Sequence, residues 1–392
     1  MPAAACTPAT LPPVRICIVY DCLYPHTVGG AERWYRNLSL RLAEERHEVT
    51  YLTLRQWGRT EEPHLPGVRV LAVAPRMSLY TGGRRRILPP LVFGLGVLGH
   101  LLRHGRRYDV VHTASFPYFS LLAAALARRV GSYRLVVDWH ELWTRDYWHE
   151  YLGPVGGRAG RWVQDLCLRI PQRAFCFSHL VERRLRAHGI RGEVSVLEGQ
   201  FEGVPADAPR PAEHVVVFAG RHIPEKRPGA VVAAVAEARE SIPGLRAEIY
   251  GDGPERGAVL AAIAARGLEE VVAAPGFVPG TVVEEALGRA LCLLLPTRRE
   301  GYGLVVLEAL SRGTPVVVVS GDDNAAAELV AEGENGFVAA SAAADDLAAA
   351  LVRVHEAGPS LRASSLAWFR RNAARLSLES SLAAVVNAYA GG

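Results

Sequence analysis

The chain has 392 residues, long for a single ordinary domain and a good fit to two of about 150–200 residues each. Hydrophobic residues make up 49% and charged residues 21%, a globular balance, and the net charge of +4 comes with no Lys/Arg stripe of the kind that tracks nucleic acid. Six scattered cysteines form no C-x-x-C pair, which argues against a disulfide scaffold or a zinc site.

Residues 1–13 are rich in Pro and Ala, lack a basic start and an apolar core, and read as a disordered tail rather than a signal peptide. A cytoplasmic protein is expected. Short apolar runs then alternate with helical stretches through 14–201. VRICIVY (14–20) reads as a buried strand, 31–46 as a helix, and HEVTYLTL (47–54) as the next strand. YDVVH (108–112), a Leu/Ala helix over 119–129, YRLVVDWH (133–140), FCFSHL (175–180) and EVSVLEG (193–199) continue the rhythm. Such alternation predicts a parallel sheet with helices on both faces. Residues 84–107 hold an apolar run with arginines at both ends. They read either as a core helix with solvated ends or as a surface docking on anionic lipid at the cytoplasmic membrane face.

Residues 202–213, EGVPADAPRPAE, have no periodicity and read as a linker. The rhythm restarts over 214–370. Strands are expected at HVVVFAG (214–220), RAEIYGDG (246–253), VVAAPGF (271–277), ALCLLLP (290–296) and TPVVVVS (314–320), with helices at 231–241 and 305–311. The fold class is therefore α/β, with two Rossmann-like domains facing across a cleft and ligands at the strand C-terminal ends. The tail, helical from 366 to 389, is expected to cross back to the first domain, with 371–392 as the returning segment.

LPTRREGYGLVVLEALSRGTPVVV (295–318) is the most informative segment. A strand ends at Pro296, a loop carries Glu300, and Gly301, Tyr302 and Gly303 open a helix, beginning near Leu304, that carries Glu308. Backbone N–H groups at a glycine-rich helix start suit phosphate. Two carboxylates beside it would repel phosphate unless they accept from sugar hydroxyls. Together they suit a nucleotide diphospho-sugar, although a plain strand–helix unit with a capping Glu also fits. Gly220 and Arg221 end the HVVVFAG strand, and Lys226 follows in Glu225-Lys226-Arg227. Lys226 is the only lysine in a chain whose other 43 basic residues are arginine, so a compact ammonium is indicated there. Arg221 and Lys226 together would neutralise a diphosphate. Gly251 lies in the turn YGDGPER, and Phe277 and Val278 follow another strand end, placed to flank a flat base.

The order GRHIPEK, YGDGPE, GFVP and E-x7-E resembles the retaining glycosyltransferase family 4, of GT-B fold, across essentially the whole chain. The resemblance implies that Arg221 and Lys226 bind the donor pyrophosphate. It also implies that Glu300 meets the donor sugar's hydroxyls, Glu308 the ribose, the Gly303–Leu304 backbone phosphate, and Phe277 and Val278 the base. It further implies a metal-independent reaction with no bound cofactor, a UDP- or GDP-sugar as substrate, and a front-face path to a hydroxyl acceptor. Gly29 and Gly30, opening the first helix, resemble the family's first glycine loop, and His140 its strand-end histidine.

Near His140 the chain reads DWHELWTRDYWHEYLG (138–153), with three tryptophans inside ten residues. Trp139, Glu141 and Trp143 read as acceptor contacts or as a packed core helix, and His112 borders the same cleft. Two departures limit the match. LEGQFEG stands where the family has Pro-Asn-Gly-Val. SGDDNAAAEL lacks the usual Gly-Gly pair, so sugar identity does not carry over, and Asn324 and Glu328 are candidate contacts only. An epimerase-like enzyme and a non-catalytic sugar-nucleotide-binding subunit are the alternatives.

Overall fold

A computed structural model describes residues 13–58, 60–81 and 84–390. The tail expected at 1–13 therefore lies, apart from Pro13, outside the described residues. In the first domain the strands are β1 (Arg15–Val19), β2 (Glu48–Leu54), β3 (Val68–Ala74), a two-residue hairpin of β4 (Tyr80–Thr81) and β5 (Arg84–Arg85), then β6 (Val110–Ala114), β7 (Arg134–Trp139), β8 (Arg173–Cys176) and β9 (Val194–Val196). Seven of them form one parallel sheet in the order β3-β2-β1-β6-β7-β8-β9. Its helices are α1 (Gly30–Glu44), α2 (Leu88–His104), α3 (Tyr118–Gly131), α4 (Arg145–Leu168) and α5 (His179–Ala187). Thr144 and Ser178 cap α4 and α5, their hydroxyls accepting from the Tyr147 and Val181 amides.

The second domain repeats the plan. Strands β10 (Val215–Ala219), β11 (Arg246–Tyr250), β12 (Val272–Gly276), β13 (Cys292–Leu295), β14 (Val316–Val319) and β15 (Gly336–Ala339) form a six-stranded sheet in the order β12-β11-β10-β13-β14-β15. Every ladder in it is parallel. Its helices are α6 (Pro228–Ala238), α7 (Arg256–Ala264), α8 (Gly280–Arg289), α9 (Leu304–Leu310) and α10 (Ala344–Leu376). The central strands β10, β13 and β14 are runs of Val and Leu, with Phe218 and Cys292, buried on both faces, as a helix-covered parallel sheet requires. Each domain has its own apolar core. This is the GT-B arrangement expected from the sequence.

Two boundaries differ from expectation. The tail is not one helix over 366–389: α10 ends at Leu376, Ser377 is extended (φ −69°, ψ 138°), and α11 (Leu378–Ala390) follows. Ser377 pairs with Phe201, and the Phe201 and Gln200 amides donate to the Leu376 carbonyl, both at 3.0 Å. The chain thus recrosses beside its first crossing, and the returning segment starts at Leu378 rather than 371. In α11, Leu382, Val385, Val386 and Tyr389 join the first domain's core. Helix α2, from the 84–107 segment, buries one face in the core, as the core-helix reading expects. Phe93, Val97 and Leu101 are buried, while Leu88, Leu91, Leu95 and Leu102 are exposed. No helix among the described residues is long and apolar enough to cross a membrane.

Candidate active site between the domains

The second domain's wall of the cleft is built where β10 and β13 end. After Leu295 the loop Pro296–Gly303 turns toward the first domain. Gly303, at φ +99°, starts α9, and a Cβ there would lie 2.8 Å from that of Ala326, so glycine meets both the backbone and the packing demand. Glu300 is fixed through its main chain: its amide donates to the Asp323 carbonyl and its carbonyl accepts from Ala325, both at 2.9 Å. Lys226 comes from a single turn of 3-10 helix, Pro224–Lys226, and its Nζ pairs with Glu300 Oε2. The Arg298 amide donates to the Glu225 carbonyl at 2.8 Å, tying the two loops together. Arg221 is exposed just beyond β10. Gly251, at φ +120°, is required because a Cβ would collide with the Gly220 carbonyl. That packing buries His222, whose ring nitrogens have no protein partner and whose pKa burial lowers. Phe277 is 73% exposed and Val278 packs on the core behind it.

On the opposite wall β7 ends in Asp138 and Trp139, and His140 follows directly. The His140 ring stacks on Phe177, with centroids 4.5 Å apart and planes 2° from parallel. Burial pushes its pKa down, so the ring is neutral near pH 7, and its buried Nε2 has no hydrogen-bond partner. The walls meet here: a Cβ on Gly301 would lie 2.8 Å from the His140 carbonyl. His140 and Glu300 therefore belong to one site, although they are far apart in sequence.

The neighbouring crevice is lined by Gly30, Arg33, Gln200, Leu304 and Glu308, with a cavity of about 90 Å³. Arg33, on the helix that Gly29 and Gly30 open, reaches Glu308 Oε1 at 3.3 Å across the cleft. The Tyr302 hydroxyl donates to the Glu198 carbonyl of the first domain. The structure thus brings Lys226, Glu300, His140, Gly30 and Glu308 to one cleft.

Other expected contacts fail. His112 is completely buried, 2.5 Å from the Tyr389 hydroxyl through Nδ1 and 2.8 Å from Asp138 Oδ1 through Nε2. It serves the seat of α11, not an acceptor. Trp139 points to the sheet face opposite Asp138 and His140, as strand alternation demands, and its fully buried indole donates to Gln172 Oε1 at 2.9 Å. Glu141 and Trp143 are taken up by Arg299, a residue that sequence reasoning missed. The Arg299 guanidinium pairs with Glu141 and lies 3.7 Å from the Tyr147 ring centroid and 5.0 Å from that of Trp143. The core reading of the aromatic cluster holds for Trp139 and Trp148. Asn324 is a structural cap, its Nδ2 donating to the Thr297 and Val319 carbonyls. Glu328 is engaged by Arg183 and by the His179 amide. Thr297, buried with an unpartnered hydroxyl at the end of β13, was also overlooked.

The chain matches two family models that together run along most of its length: Glycosyltransferase Family 4 over residues 28–199 and Glycosyl transferases group 1 over 205–365. It belongs to the family 4 glycosyltransferases. A segment is 32% identical over 143 residues to an exopolysaccharide phosphotransferase of Streptomyces coelicolor, covering 36% of this chain and 14% of that protein. Another is 30% identical over 148 residues to the alpha-D-kanosaminyltransferase of Streptomyces kanamyceticus, 38% of each. The chain therefore spans well under half the length of these two relatives. A glycogen synthase of Mycobacterium tuberculosis is 26% identical over 360 residues, 86% of this chain and 85% of that one. In fold, the chain is similar to sucrose-phosphate synthase from Thermosynechococcus elongatus, with a TM-score of 0.78 at 18% identity over 96% of this chain and 98% of that. It is also similar to Anabaena HepE in complex with UDP and glucose, with a TM-score of 0.71 at 16% identity over 97% of this chain and all of that one.

Proposed function

We propose that this family 4 member moves a sugar, with retention at the anomeric carbon, from a UDP- or GDP-sugar to a hydroxyl acceptor without a metal. The observation that carries the reading is the Lys226–Glu300 pair facing His140 across the Gly301 contact. A carboxylate steadied by an ammonium is a strong acceptor for sugar hydroxyls. A neutral histidine with a free, buried nitrogen opposite it is a second partner for the same sugar. Arg221 and Lys226 offset charge that develops on the leaving diphosphate, an electrostatic contribution that is commonly the largest in such a site. Glu308 accepts from the ribose, and exposed Phe277 supplies a face for the base. UDP and glucose in the HepE complex support a uridine donor.

From Glu62 to Asp109 the sequence has no acidic residue between the two and eight arginines. With the exposed leucines of α2, this face suits an anionic membrane surface on the cytoplasmic side.

The test begins with a panel of UDP-, GDP- and ADP-sugars in thermal-shift assays, since ligands of the native state raise apparent stability. Donors that bind are then assayed for transfer, with the anomeric configuration of the product read by NMR. Glu300→Ala and Lys226→Ala should each lower transfer by about 100-fold or more. Near-wild-type transfer in either variant, or an epimerised donor with no acceptor product, would overturn the reading.

A further inference from the structure

The aromatic cluster of the first domain is filled from the second. Arg299 is only 8% exposed, so its charge has left water almost entirely. A buried cation is tolerated only where anions and ring faces replace its hydration. Here the replacements all belong to the other domain: the Glu141 carboxylate and the faces of Trp143 and Tyr147. The socket is itself braced. The Trp143 indole donates to Glu141 Oε2 at 3.1 Å, and Trp143 also stacks on Phe116 with centroids 5.4 Å apart.

Tyr147 makes the arrangement specific. Its ring receives Arg299, the residue before Glu300. Its hydroxyl donates to Glu225 Oε1 at 2.8 Å, and Glu225 is the residue before Lys226. One first-domain side chain thus grips the chain neighbours of both members of the Lys226–Glu300 pair. Arg298 adds an outer contact to Glu150 at 2.7 Å, exposed on both sides and therefore weak.

We propose that Arg299 is a positioning residue: seated in the socket of Glu141, Trp143 and Tyr147, it holds the two domains closed and sets Glu300 against the transferred sugar. The inference rests on the transfer activity proposed above. These contacts exist only while the domains meet, so they favour the closed state by their full differential energy. A planar guanidinium can lie flat on a ring and still pair with a carboxylate, which an ammonium cannot do equally well. Charge alone is therefore not enough.

The experiment compares R299M, R299K and Y147F in the full chain. Nucleotide Kd is measured by calorimetry, kcat and acceptor KM by product formation, and compaction by small-angle scattering with and without UDP or GDP. R299M is expected to lose about 100-fold in kcat, as misplacement of a reacting group by about 1 Å does, while nucleotide Kd stays within about 3-fold because Arg221, Lys226, Phe277 and Glu308, the side chains proposed to hold it, all come from the second domain. R299K, which keeps the charge on a slightly shorter side chain, is expected to fold and to lose about 10-fold in kcat. Y147F keeps the ring and loses only the Glu225 contact, so it falls between wild type and R299M. The share of donor lost to hydrolysis rises in step, since an imperfectly closed site admits water. R299K at the wild-type rate overturns the proposal, and so does a loss that sits wholly in nucleotide Kd. A wild-type chain that turns over no donor sinks the activity rather than the latch. The latch is then judged by compaction alone: nucleotide-bound wild type more compact than R299M supports it, and equal dimensions overturn it.

Discussion

Gly301 stands where the two walls of the cleft come closest. A Cβ at that position would lie 2.8 Å from the His140 carbonyl and 3.3 Å from Glu141 Cγ. The first of these is backbone, which cannot swing aside. Gly301→Ala is therefore expected to cut transfer by about 10-fold or more while leaving nucleotide affinity nearly unchanged, as read by steady-state kinetics beside calorimetry. Unchanged transfer would mean that the cleft need not close this far. Residue-scale legibility was uneven for physical reasons. Lys226 stood out because it is the only lysine. Arg299 was invisible because one arginine among 43 carries no compositional signal, and its partners lie about 150 residues upstream. His112 and His140 both close apolar runs in the sequence, so sequence could not rank them by environment; in the fold His112 lies mid-strand in β6 and His140 directly follows β7. Only the arrival of Tyr389 from α11 shows that His112 faces protein, whereas His140 keeps an unpartnered nitrogen.

At the scale of elements, α11 is held to the first domain by packing and by several polar contacts, among them the Gly199 amide donating to Ser381 Oγ at 3.0 Å and a buried chain at Tyr389. Tyr389 meets His112, and His112 lies beside Asp138, which also accepts from the Trp34 indole at 2.7 Å. Burial alone would push the Asp138 carboxyl up, but the adjacent His112 ring brings it below the usual carboxylate value. Tyr389→Phe leaves the His112 Nδ1 without a partner and is expected to cost about 1–3 kcal/mol in urea unfolding. A cost near zero would show that the Tyr389–His112 contact adds nothing to the hold on α11. Helix α2 carries a pH-dependent counterpart. Burial, with help from His104, Arg69 and Arg107, lowers the His100 pKa to about 4. The folded chain thus takes up this proton later than the unfolded chain, whose histidines titrate near the ordinary value of about 6.5. His100 therefore favours the folded state above about pH 6.5, and that contribution fades as pH falls to about 4. A Tm profile should slope downward across this window, and His100→Gln should flatten it; an unchanged slope would remove His100 from the account. The central strands were readable as continuous β-branched and leucine runs, whereas the edge strands β3 (Val68–Ala74) and β15 (Gly336–Ala339), one a half-exposed VRVLAVA and the other only four residues long, were not expected from the sequence. The break at Ser377 was not, because ARLSLES continues a helical pattern and only the Phe201 pairing pulls the chain straight.

For the whole molecule, closure and membrane contact draw on different parts of the surface. The pairs that span the cleft draw on α1 through Arg33, on α4 and the segment before it through Glu150 and Glu141, and on α5, where Arg184 meets Asp323 at 2.5 Å and Arg183 meets Glu328 at 3.1 Å. The acid-free face lies on α2, where Leu88, Leu91 and Leu95 recur at helical spacing between exposed Arg86 and the exposed Arg103, Arg106 and Arg107. Each arginine near an anionic bilayer contributes about 1 kcal/mol, and the leucines add burial that salt does not screen. Flotation should therefore recover the chain with phosphatidylglycerol vesicles at low salt, less at high salt, and little with neutral vesicles. Leu95→Asp attacks the apolar share and should weaken binding at every salt concentration. The triple change Arg103→Glu, Arg106→Glu and Arg107→Glu attacks the electrostatic share and should abolish the salt dependence. Neither set touches the cleft, so transfer to a water-soluble acceptor should continue at the wild-type rate. Equal recovery with neutral and anionic vesicles would remove the arginines from the argument, and no recovery with either would leave α2 as a core helix whose outer leucines simply face water.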